Sequence, residues 1–434
     1  MTLAWSKTPA ILAPAILLFT SLTTPVFALQ PLATFVEAAQ KVSPESREAS
    51  ARLEQRQAEE GTATWRLLPT LSINGRYTRN QYNLEFQVPG STEPKPFMPY
   101  NQFDASVVLS VPLIHVAAWQ QKKSSSAWQD HATLAQAAVA QDLTARVAER
   151  YYQLLGAVAL VQAARHALTT SQENLRIATD RVKNGAATTF DLELSQADTA
   201  RAEQDVATAE LSETIARRML QSISGVTPAA EVQFVEDDLR QEADVAHFIH
   251  QAQSSPAKKA ARAATEASEA QTKIARAAWY PTVTGVAQET FTNATALVGH
   301  ASYYQFMINA AWKFDGTNLS NDEASRAQAR VAQAQEETNA RNIDEAIFGA
   351  HAQVHAGIKK ARAAREQEKA AQRAVDIATQ QYQAGVVTQT EVLAAQQAAF
   401  SAQVGRIQAV TDLAYARTLL RILSSETWSD RVGE

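Results

Sequence analysis

The residues best placed to do chemistry fall in two short motifs that match each other. Asn184-Gly185-Ala186-Ala187-Thr188-Thr189-Phe190-Asp191 aligns without a gap with Ala384-Gly385-Val386-Val387-Thr388-Gln389-Thr390-Glu391. In each, a glycine is followed three residues on by a threonine, and that threonine three residues on by a carboxylic acid. Glycine at a helix end takes the left-handed conformation that closes it. Thr188 or Thr388 then caps the next helix, and Asp191 or Glu391 completes a capping box. An acid there is also favoured by the positive end of the helix dipole. Helix capping explains both motifs locally. If several equivalent turns were gathered in a ring, the same carboxylates would line its mouth and attract cations.

Other candidates are weaker. His351 and His355 share one helical face, the spacing of a metal pair, but the segment lacks the glutamate of a zinc protease and an obvious further ligand. Histidines in solvent or between helices are the expected reading. The same applies to His247 and His250, which follow Glu242 and Asp244, and Asp237-Asp238 reads as a solvated loop. The chain carries no Gly-rich phosphate loop, nucleophile elbow or cysteine. No enzyme, cofactor or resident metal is expected. A net charge of −5 gives no reason to expect a nucleic-acid partner.

What must position the two turns is itself duplicated. Ile177-Ala178-Thr179, Gln196, Ala216-Arg217, Leu220 and Ser224 recur as Ile377-Ala378-Thr379, Gln396, Ala416-Arg417, Leu420 and Ser424, an offset of 200. Upstream, Ser43-Pro44 and Pro69-Thr70 recur as Ser255-Pro256 and Pro281-Thr282, an offset of 212, so the first half holds an insertion between. Solenoid repeats run about 20–50 residues, so this is one long unit built twice.

Each unit reads helix, strand, loop, strand, long helix, turn, helix. Val116–Lys183 contains no proline and one glycine, Gly156; Asn318–Ala384 contains only Gly349 and Gly357 as breaks. A helix of that length reaches about 100 Å and must pack side by side with others. Leu393, Phe400, Val404, Ile407 and Ala414 fall near coiled-coil spacing. Two-residue alternation marks strands at 70–78, 103–113, 282–291 and 304–314, the last with Tyr304, Phe306, Trp312 and Phe314 on one side. Between the first pair, Gln81–Asn101 reads as a Pro-rich loop that accounts for most of the insertion.

Lys7, the apolar run Ile11–Leu22 and the small-residue site Val26-Phe27-Ala28 read as an export signal expected to be cut after Ala28, the alternative being an uncleaved anchor. Strands of this length in an exported chain suit a transmembrane barrel. Four cannot close one, and an open edge in lipid leaves backbone groups unsatisfied, so several chains must contribute.

On these signposts, the strand pairs and the Gly-x-x-Thr-x-x-Asp/Glu turns, the chain resembles the TolC family of outer-membrane efflux and secretion channels over roughly Leu32–Ser425. The resemblance implies a mainly α fold with transmembrane β: a long α-helical barrel plus four strands per protomer, completing a 12-stranded trimeric β-barrel. It implies a signal peptide (1–28), a first repeat (29–225), a periplasmic belt linker (226–254), a second repeat (255–425) and a tail (426–434). The implied partners are two further copies, a periplasmic adaptor, an inner-membrane transporter and outer-membrane lipid of a Gram-negative cell. The implied function is passive exit from periplasm or pump to the exterior. Gly185, Thr188, Asp191, Tyr382, Gly385, Thr388 and Glu391 would form the periplasmic entrance, with Tyr382, Asp191 and Glu391 standing where family residues close or line it. Val387 and Ala394 depart from the family pattern, where an arginine and a second aspartate stand. The competing reading is a periplasmic coiled-coil scaffold or adaptor without a pore. An adaptor keeps its β-rich part outside its helical hairpin, whereas here strands interrupt each repeat twice.

Overall fold

The computed structural model describes residues 30–87, 94–229 and 239–426. The proposed signal peptide, Asp237-Asp238 and nearly all of the 426–434 tail lie outside the described residues.

The chain runs α1 (Leu32–Val42), α2 (Pro44–Trp65), β1 (Thr70–Arg79), β2 (Leu84–Phe86), β3 (Lys95–Met98), β4 (Asn101–Ile114), α3 (Val116–Lys183) and α4 (Thr189–Ser224). It continues with α5 (Val245–Gln251), a 3-10 turn at Ala252–Ser254, α6 (Pro256–Ala277), β5 (Thr282–Thr292), β6 (Ser302–Ala311), α7 (Thr317–Gln383) and α8 (Gln389–Ser424). The two Ser-Pro signposts are helix starts. Ser43 and Ser255 accept the N–H groups of Ser46 and Lys258, and the prolines sit where a missing N–H costs nothing.

The strands form one antiparallel sheet in the order β1-β4-β5-β6. Its register puts side chains of one kind on each face. Leu71 and Ile73 stand opposite Leu109 and Val107, which stand opposite Ala287 and Glu289, which stand opposite Phe306 and Tyr304. Ser72 and Asn74, Val108 and Ser106, Gln288 and Thr290, Gln305 and Tyr303 align on the other face. One face is therefore apolar apart from Glu289 and, at the strand ends, Arg79, Asn101 and Ser302, and the other is largely polar. β1 and β6 each have a partner on one side only.

Two expectations need correction. Gln81–Asn101 is not a plain loop: β2 and β3 pair in it as a small hairpin, which has no counterpart in the second repeat. The fourth strand ends at Ala311, not at residue 314. There the Asp315 carboxylate pairs with Lys313 at 2.9 Å and accepts the Thr317 N–H at 2.7 Å, which turns the chain into α7. Trp312 and Phe314 keep the alternation of residue type beyond the last ladder bond.

The long helices form two hairpins, α3/α4 and α7/α8, which meet mainly along α3 and α8. Their seams are lined by small residues such as Ala163, Ala164, Ala209, Ala361 and Ala409, so helices approach closely with little apolar area each. Gly156 of α3 faces Thr411 of α8, where an added Cβ would come within 3.2 Å. Gly357 of α7 faces Leu413 of α8 at the same distance, so two glycines seat one helix. Near the middle of the molecule the short helices clamp the hairpins. Phe35 of α1 packs with Leu143, Val147 and Leu220, while Phe248 of α5 packs with Ile347, Val354 and Leu413. Repeat-equivalent arginines hold both ends of the linker between the repeats. Arg217 donates to the Ala229 carbonyl at 2.7 Å, and Arg417 reaches Glu242 at 2.8 Å.

Candidate functional site at the helical turns

Both turns close as the motifs require. Gly185 and Gly385 have φ of +71° and +75°, the left-handed region open to glycine without a Cβ penalty. The Ala186 and Val386 N–H groups reach back to the carbonyls of Arg181 and Gln381 at 2.8 and 2.9 Å, satisfying carbonyls the helix end would otherwise leave bare. The capping boxes are complete. Asp191 Oδ2 accepts the Thr188 N–H at 3.0 Å, and Glu391 Oε2 accepts the Thr388 N–H at 2.7 Å. Each threonine hydroxyl accepts the N–H of its acid in return, at 3.2 and 3.4 Å.

The Thr388 N–H, and then its hydroxyl, hold the exposed Glu391 carboxyl below the usual glutamate range. A lowered folded-state pKa means that the cap is fully formed above the unfolded value and is lost as pH falls through the folded one. The charge is therefore present at neutral pH.

Tyr382, the third family-like position, is joined to both hairpins. Its hydroxyl donates to Gln389 Oε1 at 2.9 Å, and the Arg181 guanidinium of α3 lies 4.6 Å from its ring centroid. Gln389 is 6% exposed and donates through its amide to the Ser195 hydroxyl of α4. Asn174 of α3 donates to Gln396 of α8 at 2.8 Å. Beside these bridges lies a cavity of about 260 Å³ lined by Ile177, Arg181, Tyr382, Gln389 and Leu393. Gln389, Ser195, Asn174 and Arg181 were absent from the sequence-based site. The available signal was a break in the repeat: Gln389 stands where the first unit has Thr189, at the place where the hairpins face each other.

His351 packs between elements, whereas His247, His250 and His355 are exposed. His351 Nε2 lies 2.9 Å from the Ala243 carbonyl, and its ring centroid is 6.0 Å from that of Phe248, so it seats α5 against α7. Asp244 caps α5, and Glu242 pairs with Arg417. Among the described residues, no group of three or more His, Cys, Asp or Glu is arranged to hold a metal.

The sequence model of the outer membrane efflux protein family matches residues 35–226 and 250–424, one stretch for each repeat. The chain belongs to the outer membrane efflux protein family. No curated protein sequence matches it. Among solved structures it is similar to CusC, at 18% identity and a TM-score of 0.78, with 92% of this chain and 93% of that one covered. It is also similar to the Campylobacter jejuni CmeC outer membrane channel, at 16% identity, a TM-score of 0.78 and coverage of 93% and 87%. The open state of the Neisseria gonorrhoeae MtrE outer membrane channel matches at 19% identity and 0.70, over 93% and 92%. These likenesses establish the TolC-like fold. Among the described residues, no helix of this outer membrane efflux protein is long and apolar enough to cross a membrane.

The capping and lining roles of Glu391 separate by substitution. Gln at this position keeps a hydrogen-bonding side chain at the third box position but removes the charge. If Glu391 lines the entrance, Glu391→Gln channels in planar bilayers will show weaker cation selectivity and weaker block by multivalent cations. Selectivity and block identical to the parent would leave the residue a cap alone.

Proposed function

We propose that the protein is the outer-membrane exit duct of a tripartite efflux pump or type I secretion system, assembled as a homotrimer and without catalytic activity of its own. The observation that carries this reading is the sheet: one apolar face, one polar face and two unpaired edges, joined directly to helices about 100 Å long. In lipid such edges must be paired, and copies of the same chain supply complementary ones. Two copies would give eight strands, whose interior fills with side chains; three give twelve and leave room for water along the polar face.

The strands then sit in the outer membrane of a Gram-negative cell, and the helices cross the periplasm as a second barrel. At the far tips Phe190 and Val386 are exposed beside the capping boxes. These tips are where a periplasmic adaptor, carrying an inner-membrane transporter, would dock. Gly185, Thr188, Asp191, Tyr382, Gly385, Thr388 and Glu391 would form the entrance, and transport is driven by the partner pump.

The chain has no cysteine, so single engineered ones report orientation cleanly. Leu297 lies between β5 and β6 and is well exposed; Ala187 lies in the first turn. Leu297→Cys is expected to react with an impermeant thiol reagent on intact cells, and Ala187→Cys only after the outer membrane is permeabilised. Labelling in the reverse order would overturn the topology. A pore-less periplasmic scaffold predicts that neither is labelled before permeabilisation.

A further inference from the structure

The four junctions between strands and helices share a feature that helix capping and barrel closure do not require. Each carries a tryptophan within four residues of a basic side chain. Trp65 precedes Arg66 at the end of α2, and Trp119 precedes Lys122 and Lys123 in the first turns of α3. Trp279 follows Arg276 at the end of α6, and Trp312 precedes Lys313 between β6 and α7. Of the five tryptophans among the described residues, only Trp128, stacked under Arg56 at 5.1 Å, lies elsewhere.

These rings do not fill a core. Trp65, Trp119 and Trp312 are 72%, 63% and 60% exposed. The Trp312 indole N–H donates to the Trp279 carbonyl at 3.1 Å, which fixes one pair across the β5/β6 junction. The opposite strand ends carry Tyr77, Phe103, Phe291 and Tyr304 instead, with Arg76 and Arg79 set against Asp104 and Glu289. The strand-end tryptophans thus lie on the helix side, where Arg66, Lys122, Lys123, Arg276 and Lys313 are set against Asp315 and Asp322. Lys313 is paired with Asp315 and Arg276 with Asp322, so Arg66, Lys122 and Lys123 supply most of the excess charge.

We propose that these junctions form a basic aromatic girdle that binds anionic phospholipid headgroups of the periplasmic leaflet. The inference rests on the membrane placement given under Proposed function. Indoles are at home at the headgroup level, with ring in the acyl boundary and N–H toward water. Lysine and arginine beside them meet lipid phosphates and favour net-negative headgroups. Ten-residue strands tilted by about 40° span a band of about 25 Å, which puts the girdle at one interface and the tyrosine-rich ends at the other.

The test uses the full-length assembly, purified in detergent containing equal amounts of phosphatidylglycerol and phosphatidylcholine, with co-purifying lipid quantified. The protein is expected to retain phosphatidylglycerol in severalfold excess. The triple substitution Arg66→Gln, Lys122→Gln, Lys123→Gln should bring the ratio back toward one. Equal retention of the two lipids by the parent, or an unchanged excess in the variant, would overturn the proposal. A second readout needs no charge variant. Tryptophan emission in reconstituted vesicles should be quenched more by lipid brominated near the glycerol than by lipid brominated at the chain end, and Trp119→Phe should reduce the quenched fraction. Deep quenching or none would also overturn it. A parent protein that assembles in vesicles but shows no headgroup preference defeats only the girdle; one that never enters a bilayer defeats the duct as well.

Discussion

Phe306→Arg is expected to abolish assembly in the outer membrane, whereas Gln305→Arg, one residue away, is expected to be tolerated. Phe306 lies at the middle of β6 on the apolar face, 78% exposed in the isolated protomer. A lipid-facing arginine near the bilayer midplane costs about 2–4 kcal/mol. In a trimer every such site occurs three times, so the total approaches the whole stability of an ordinary domain. Gln305 belongs to the polar face, opposite Gln288, where an arginine would be bathed by water in the lumen. Heat-modifiable trimer in outer-membrane extracts measures both variants. Loss of trimer in Gln305→Arg with survival of Phe306→Arg would mean that the two faces of the sheet have been assigned the wrong way round.

The second large effect is expected at Gln389. Its amide donates to Ser195 of the other hairpin while its carbonyl accepts from Tyr382. Gln389→Ala removes both bonds: the Ser195 hydroxyl keeps its bond to the Asp191 carbonyl at 2.9 Å but loses the tie between hairpins, and the Tyr382 hydroxyl is left facing a cavity. Each buried polar group left without a partner costs about 1–3 kcal/mol. The cost falls on the arrangement in which α8 is fastened to α4, and not on one in which the hairpins part and water reaches the Tyr382 hydroxyl. A difference of about 1.4 kcal/mol already shifts a two-state balance tenfold. Gln389→Ala channels are therefore expected to spend much more time in a high-conductance state, and Gln389→Glu, which can still accept from Tyr382, to fall between. Single-channel recordings indistinguishable from the parent would show that this bridge does not hold the entrance.

These two sites differ in how far the sequence alone specifies them. The face containing Phe306 follows from alternation, because period-2 patterning is a local property of each strand. Val116–Lys183 was legible as one helix because it lacks proline and because a glycine turn closes it. The capping boxes at Thr188 and Thr388 were equally local. The end of β6 was not, since Trp312 and Phe314 carry on the pattern while Asp315 turns the backbone. β2 and β3 were missed because three- and four-residue strands carry too little alternation to stand out. The bridge from Gln389 to Ser195 joins residues 194 positions apart, and nothing in helical periodicity says which face of one hairpin meets the other. The role of His351 was hidden for the same reason: its partner, the Ala243 carbonyl, is a backbone atom in an irregular segment.

If copies of this chain close one barrel around a water-filled path, the assembly must conduct ions. Ionic current through the purified protein in a planar bilayer tests it most directly. Discrete, long-lived conductance steps are expected from the trimeric fraction, raised by Gln389→Ala and made less cation-selective by Glu391→Gln. A protein that enters the bilayer as a trimer yet passes no current, even with Gln389 replaced, would contradict it.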